Sequence, residues 1–459
     1  MNRFAPRLCC PLLLLGFWFS PAQLWGQDAP LNSWADREAK ASIIGFVESV
    51  TDPTSEQFVL QADRIAVFDN DGTLWPENPL PFQLCFALDE LKRLAPQNPE
   101  WKKNELLAAV MSGEMDVIKA DLKSGLIAIL SATHAGMTTA DFQNRVTAWM
   151  KQAKHVRYQR RYSDLAYQPM LEVLSYLQAN GFTTYIVSGG GIDFMRAWSE
   201  DVYGIPPQQV IGSQAAAVYQ VNDGAAEIVK QWQLDFVDEK EGKPMGIYRH
   251  LGRRPILAFG NSDGDRQMLE WTTLGRSPGL GVIVHHTDAE REYAYDRQPK
   301  SSGKLEVALQ KAPGEGWVVV DMANDWKTVF VDSEVNSEMS FDAIAGPTWI
   351  VETINGKDVV DQSPATMIIG EGGKVAGNSG VNRYSGTAEI NGSNISFGPL
   401  ATTRRAGPPA LMAQESSFLK AMSTVVSIEI SVGRILSLVD KSGEPVLRFF
   451  AKTSGSATE

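Results

Sequence analysis

Two rhythms of apolar and polar positions divide this chain. In the first, short apolar runs alternate with stretches of helical spacing. In the second, short strands alternate with Asn-Gly and Gly-Gly turns. The first rhythm opens with an amphipathic helical pattern from Asp36 to Val59. It leads to Ile65-Ala66-Val67-Phe68, an apolar run that reads as a buried parallel strand. From Glu77 to about Leu165 no stretch reads as a strand. Phe82–Leu94, Asn104–Met115 and Met115–Leu130 place apolar residues on helical faces, and Thr138-Thr139-Ala140-Asp141 offers a cap for a further helix through Met150. A mostly helical insertion, about residues 77–167, therefore follows the first strand.

After Pro169 the alternation resumes. A helix at Met170–Ala179 is closed by Asn180-Gly181, and the strand Thr183–Val187 runs into Ser188-Gly189-Gly190-Gly191. A helix from Asp193 to Trp198, a short strand at Val210-Ile211-Gly212 and a polar excursion from Gln214 to Phe236 come next. Lys243 opens another helix. The strand Pro255–Phe259 ends in Gly260-Asn261-Ser262-Asp263-Gly264-Asp265, and Gly281–His285 is one more strand. This repetition predicts an α/β fold, a doubly wound parallel, Rossmann-like sheet, for residues 32–332. Residues 333–341 are polar and unpatterned and read as a linker. The second rhythm, residues 342–452, predicts an antiparallel β-rich α+β domain with turns at Asn355-Gly356, Gly372-Gly373, Asn391-Gly392 and Ser442-Gly443 and one helix near Ala413–Met422.

The N-terminus follows neither rhythm. Arg3 and Arg7 precede the apolar core Leu12–Phe19, then Ser20-Pro21-Ala22 and Gly26, the plan of a signal peptide over residues 1–26 cleaved near Gly26. The apolar run is shorter than the roughly 20 residues a membrane span needs, and no lipobox precedes a Cys at its end. A soluble periplasmic or secreted protein is expected. Cleavage would remove Cys9 and Cys10 and leave Cys85, so no intramolecular disulfide is available. Cys85 lies among Phe82, Leu84, Phe86 and Leu88 and reads as a core residue.

Composition adds little. Hydrophobic residues at 44% and charged residues at 21% suit an ordinary soluble protein, and a net charge of −12 without a basic face argues against a nucleic-acid partner.

The chemistry gathers at strand ends, where open α/β sheets place their ligands. Asp69 and Asp71 follow the first strand, and two acids there are costly unless a cation or proton offsets them. An ordinary Asp- and Gly-rich turn would show the same local composition. Ser188 with its glycines, Lys243, and Asn261, Asp263 and Asp265 follow in order. This ordered set resembles the haloacid dehalogenase superfamily of phosphotransferases, in the phosphoserine-phosphatase-like branch with a helical cap inserted after the first strand.

The resemblance implies a fold, a reaction and roles. Asp69 would be the nucleophile that forms an aspartyl-phosphate. Asp71 would protonate the leaving alcohol and then activate water, with its main-chain carbonyl on the metal. Ser188 and the Gly189 amide would hold phosphate oxygens, and Lys243 would offset charge, with Lys240 as a near alternative. Mg²⁺ is the implied cofactor, held by Asp69, Asp71, Asn261 and Asp265, with Asp263 as an alternative ligand. Zinc is disfavoured, since His134, His155, His250, His285 and His286 show no ligand spacing. The chain departs from the family at Asn261, where an acid is usual. Glu77 and Arg157, Arg160, Arg161 and Tyr162 are candidates to touch the leaving group, although the arginines read equally well as a solvated face.

The C-terminal part resembles the META domain of heat-inducible bacterial envelope proteins. The matching residues are Gly346-Pro347-Thr348-Trp349, Ile354-Asn355-Gly356, Gly377–Gly386, Phe397–Arg404 and Gln414-Glu415. Val381 and Gly407 stand where members often carry Cys. The resemblance implies contact with envelope components or stress tolerance, and no catalytic group. The expectation is an exported Mg²⁺-dependent phosphomonoesterase for a small phosphorylated metabolite. The alternative is a non-enzymatic envelope-stress or binding protein with a decayed phosphatase domain.

Overall fold

The computed structural model describes residues 30–112, 122–299, 301–331, 344–360, 365–431 and 435–451. The expected signal peptide and the whole of the expected linker fall outside them.

The first domain is built on a sheet of β1 (Ile65–Phe68), β2 (Thr183–Gly191), β3 (Val210–Asn222), β4 (Ala225–Phe236), β5 (Leu257–Gly260), β6 (Leu280–His285) and β7 (Val318–Asp321). Their order is β4-β3-β2-β1-β5-β6-β7, and every neighbouring pair is parallel except β3 with β4. β1 lies at the centre and all four of its residues are buried. Alternation along the strands serves both faces. Ala66, Phe68, Ile186, Leu257 and Phe259 pack with α1 (Glu38–Thr51), and Phe68 stacks on Phe259 with ring centroids 4.7 Å apart. Ile65, Val67, Val187, Ala258 and Ile283 pack the other way. This is the doubly wound arrangement that the alternation predicts.

Between β1 and β2 come α2 (Phe82–Leu94), α3 (Glu105–Ser112), α4 (Leu122–His134) and α5 (Thr139–Gln152). Thr138 caps α5 by accepting from the Asp141 amide. These helices carry a small core of their own, with Leu84, Leu91, Leu107, Val110 and Ile129. Phe82, Phe86, Phe142 and Met150 join the main core instead and tie the insertion to the sheet. Cys85 packs at the edge of that core, and burial pushes its thiol up to about 11. α6 (Gln168–Ala179) then leads into β2.

Two elements depart from the expectation. The excursion from Gln214 to Phe236 is no loop: β3 continues through it and turns at Asp223-Gly224 into antiparallel β4. Its side chains are largely exposed, including Val218, Tyr219, Val221 and Ile228, so a buried face does not mark it in the sequence. β7 also extends the sheet beyond Gly281–His285, pairing Val318–Asp321 with Val282–His285.

The second domain is a closed antiparallel barrel. Its strands are β8 (Trp349–Ile354), β9 (Lys357–Asp358), β10 (Thr366–Gly370), β11 (Lys374–Asn378), β12 (Arg383–Asn391), β13 (Asn394–Phe397), β14 (Ala401–Thr402), β15 (Val425–Ser431), β16 (Ile435–Asp440) and β17 (Pro445–Ala451). They run β10-β11-β12-β13-β15-β16-β17-β8-β9, and β10 returns to pair with β8, which removes the open edge. A helix, Pro409–Met422, packs Phe418 and Met422 into the barrel core. The Glu415 carboxylate on that helix accepts from Ser379 Oγ and from the Asn382 amide and side chain at 2.8–2.9 Å. These motif residues therefore hold a turn. A side chain at Gly407 would run into Val381, so the two positions where family members carry Cys are neighbours.

Candidate functional site

The carboxyl ends of β1, β2 and β5 meet over one small volume, because β1 pairs with both of the others. Lys243, near the start of the helix Gly242–Leu251, enters it from below and is fully buried. Its ammonium donates to Asp69 Oδ1 and to Asp265 Oδ1, each at 2.5 Å, and to the Val187 carbonyl at 2.9 Å. Burial opposes its charge, but the carboxylates of Asp265 and Asp69 outweigh burial and hold Lys243 protonated. Lys240 does not share this place: it is exposed.

Asp265 is fixed in turn by its own loop, with Oδ2 accepting from the amides of Asn261 and Ser262 at 2.9 Å. Asp263 faces elsewhere. Its Oδ1 accepts from the amides of Glu306 and Ala308 at the start of the helix Val307–Glu315.

Asp71 lies two residues beyond Asp69 and is the less buried of the pair. Its Oδ1 accepts from the Trp75 indole at 2.7 Å. That indole is stacked on Trp198 at 4.2 Å. Burial raises the Asp71 carboxyl to about 6, against the Trp75 hydrogen bond. Gly72 follows at φ +82°, and a side chain there would collide with Asn261 and Glu77. Ser188 is buried at the end of β2. A Cβ at Gly190 would lie 3.3 Å from Ser188 Oγ and 3.5 Å from both Asp71 Oδ2 and Gln83 Oε1. The acid, the hydroxyl and a side chain of α2 thus surround one bare stretch of backbone. Gln83 Oε1 also accepts from the Gly191 amide at 2.7 Å, so the helical insertion touches the glycine turn directly.

Asn261 is buried opposite Asp69. Thr73 Oγ1 lies 3.2 Å from Asn261 Oδ1 and 3.4 Å from Asp69 Oδ2, so an amide oxygen and a carboxylate oxygen converge on one hydroxyl. No group of three or more His, Cys, Asp or Glu placed to hold a metal occurs among the described residues. An ion here would rely on a mixed set of carboxylate, amide and main-chain oxygens. Such a set fits a hard cation such as Mg²⁺.

Glu77 lies against Asn261 and Tyr295. It is buried, and its Oε1 accepts from Asn261 Nδ2 at 2.7 Å and from the Tyr295 hydroxyl at 2.8 Å. Burial raises its carboxyl to about 7. His286 is buried beneath the same turn. Its Nε2 donates to the Gly72 carbonyl at 2.7 Å and its Nδ1 meets Glu292 at 3.0 Å. Hydrogen bonding and charge from Glu292 outweigh burial and raise its pKa.

The cap's basic residues make contacts within the fold. Arg157 covers the Tyr293 ring at 4.4 Å and donates to the carbonyls of Ala289 and Glu290, and Arg161 pairs with Asp164. Arg160 lies over Phe330, and Tyr162 stacks on Trp149. Sequence reasoning did not single out Thr73, Trp75, Gln83, Tyr295 or a supporting role for His286. Only the closeness of Thr73 and Trp75 to the two acids hinted at any of them.

Comparison with known families matches residues 66–270 to the haloacid dehalogenase-like hydrolases and residues 342–453 to the META domain. Solved structures similar to parts of the chain include a protein from Burkholderia xenovorans, 24% identical over 24% of this chain and 86% of that one, with a TM-score of 0.22. A phosphoserine phosphohydrolase-like protein from Francisella tularensis is 14% identical over 55% of this chain and 98% of its own, with a TM-score of 0.28. A probable phosphoserine phosphatase from Vibrio cholerae is 14% identical over 58% and 65%, with a TM-score of 0.30. No curated protein matches the chain.

Proposed function

Since residues 66–270 form a haloacid dehalogenase-like hydrolase domain and residues 342–453 a META domain, we propose that the chain is an exported Mg²⁺-dependent phosphomonoesterase acting on a small phosphorylated metabolite. The observation that carries this reading is the buried Lys243 bridging Asp69 and Asp265 while Asp71 stands two residues away on its own hydrogen bond. One carboxylate is gripped by the Lys243 ammonium, whose charge favours its ionised form against burial and Asp265, which raise it; the other is raised by burial to where it can exchange a proton.

In the proposed mechanism Asp69 attacks phosphorus in line with the leaving alkoxide and becomes an aspartyl-phosphate. Asp71, with its carboxyl near 6, gives its proton to the leaving oxygen, then takes one from the water that attacks the aspartyl-phosphate. The Ser188 hydroxyl and the Gly189 amide bind phosphate oxygens, and the Lys243 charge offsets that of Asp69 and the approaching dianion. Asp69, Asn261 and the Asp71 main-chain carbonyl would hold Mg²⁺, with Asp265 supporting from behind Lys243. The ion would offset the charge of the phosphoryl oxygens. Asp263 is the weaker candidate ligand, because a helix start engages its carboxylate. The α2–α5 cap, which reaches the glycine turn through Gln83, would shield the reaction from water and favour small substrates.

Export rests on residues 1–26. The META domain is proposed to contact envelope components. No helix among the described residues is long and apolar enough to cross a membrane. Asn261 favours a second reading, a decayed domain that only binds. The two separate on one assay. Residues 27–459 should hydrolyse p-nitrophenyl phosphate with Mg²⁺ and not in EDTA, and Asp69→Asn should lose at least about 10³-fold in kcat. Full activity in Asp69→Asn would overturn the mechanism, and inactivity of the wild type over a phosphate panel would favour the binding role.

A further inference from the structure

Asn261 leaves two needs unmet at a cation site: a formal charge, and a reason for its carboxamide to present oxygen rather than nitrogen. Glu77 meets both. Two donors converge on Glu77 Oε1, the Asn261 amide at 2.7 Å and the Tyr295 hydroxyl at 2.8 Å. An oxygen receiving two donors is an acceptor, so Asn261 turns its nitrogen to Glu77 and its oxygen to the Thr73 hydroxyl, which also lies 3.4 Å from Asp69 Oδ2.

The carboxylate is held on every side. Gly72 at φ +82° and Gly303 at φ +81° approach so closely that a Cβ on either would overlap Glu77 Oε1. The Tyr295 ring stacks on His286 at 4.3 Å, and His286 donates to the Gly72 carbonyl. One assembly thus fixes both Glu77 and the turn that follows Asp71.

We propose that Glu77 is a positioning residue of the cation site. It orients the Asn261 carboxamide with Oδ1 toward the Thr73 hydroxyl beside Asp69 and returns to the site the negative charge that an Asn in place of an acid gives up. The acid has in effect moved from the end of β5 to the far side of the Asn amide. The inference rests on the proposed Mg²⁺-dependent reading, and its test separates the two.

Mg²⁺ affinity of residues 27–459 is measured by calorimetry, without substrate, for the wild type, Glu77→Gln, and Glu77→Gln combined with Asn261→Asp. Thermal unfolding in EDTA monitors folding. Glu77→Gln puts an amide against an amide and should weaken Mg²⁺ at least tenfold. The double variant exchanges acid and amide across the same 2.7 Å contact, so it should recover affinity to within threefold of the wild type. A structural role alone predicts no recovery.

Wild-type affinity in Glu77→Gln, or a double variant no better than the single one, overturns the inference and leaves the phosphatase reading standing. A wild type that binds no Mg²⁺ overturns both. Should Glu77→Gln fail to fold, the double variant decides: binding within threefold supports the pair, and lost binding refutes it.

Discussion

At the residue scale the proposed acid and nucleophile differ by what holds them. Asp69 is tied to Lys243, while Asp71 depends on the Trp75 indole. Trp75→Phe keeps the ring in its stack with Trp198 but removes the donor. Under the proposed mechanism, kcat on an alkyl phosphate should then fall by roughly tenfold, with KM little changed. p-Nitrophenyl phosphate, whose leaving group needs less protonation, should suffer less. Equal losses on both substrates would refute an acid role for Asp71 supported by Trp75. The candidate residues Asp69, Asp71, Ser188, Lys243, Asn261 and Asp265 were legible because each follows an apolar run or opens a helix. Trp75, Thr73 and Gln83 were not, because a hydrogen bond across a fold leaves no periodic trace.

At the scale of elements, the cap carries its own titratable weak point. His134, at the end of α4, is packed against Phe142 at 4.6 Å, and its Nδ1 is 2.6 Å from Thr133 Oγ1. That hydroxyl donates to the Ile129 carbonyl, so His134 must donate to it from Nδ1. Nε2 has no partner among the described residues. Burial accordingly lowers its pKa to about 3. The unfolded chain protonates this histidine below about 6.5 and the folded chain does not, so stability falls as pH drops from 6.5 toward 3. His134→Gln removes the term. The stability advantage of the wild type over this variant should shrink by up to about 1.4 kcal/mol per pH unit through that window. A difference in urea unfolding free energy that stays flat with pH would refute the neutral, buried state.

The same scale shows why the hairpin of β3 and β4 escaped a reading by pattern. Alternation signals a strand only when one face is buried, and here Val218, Tyr219 and Val221 are all exposed. The Asp223-Gly224 turn was the better sign.

For the whole molecule, the two domains bury separate cores, one around the sheet and one inside the barrel. Damage to one should therefore leave the chemistry of the other in place. Phe418→Ala removes a fully buried ring from the barrel core and should cost about 3–5 kcal/mol there. Scanning calorimetry should show the barrel transition lowered while p-nitrophenyl phosphate turnover is kept. Loss of turnover would show that the barrel supports the site.

The sequence by itself determined the class of both domains, the helical insertion after the first strand and the polar ends where the candidate site gathers. Period, turn chemistry and chain order are local properties, and they survive without coordinates. The tertiary structure decided what those residues face. It placed Lys243 between two carboxylates, spent Asp263 on a helix start and drew Glu77 beneath Gly72 to the amide of Asn261. Those outcomes depend on which strands pair and how closely two glycines let a carboxylate approach. They arise between segments far apart in the chain, where no local pattern records them.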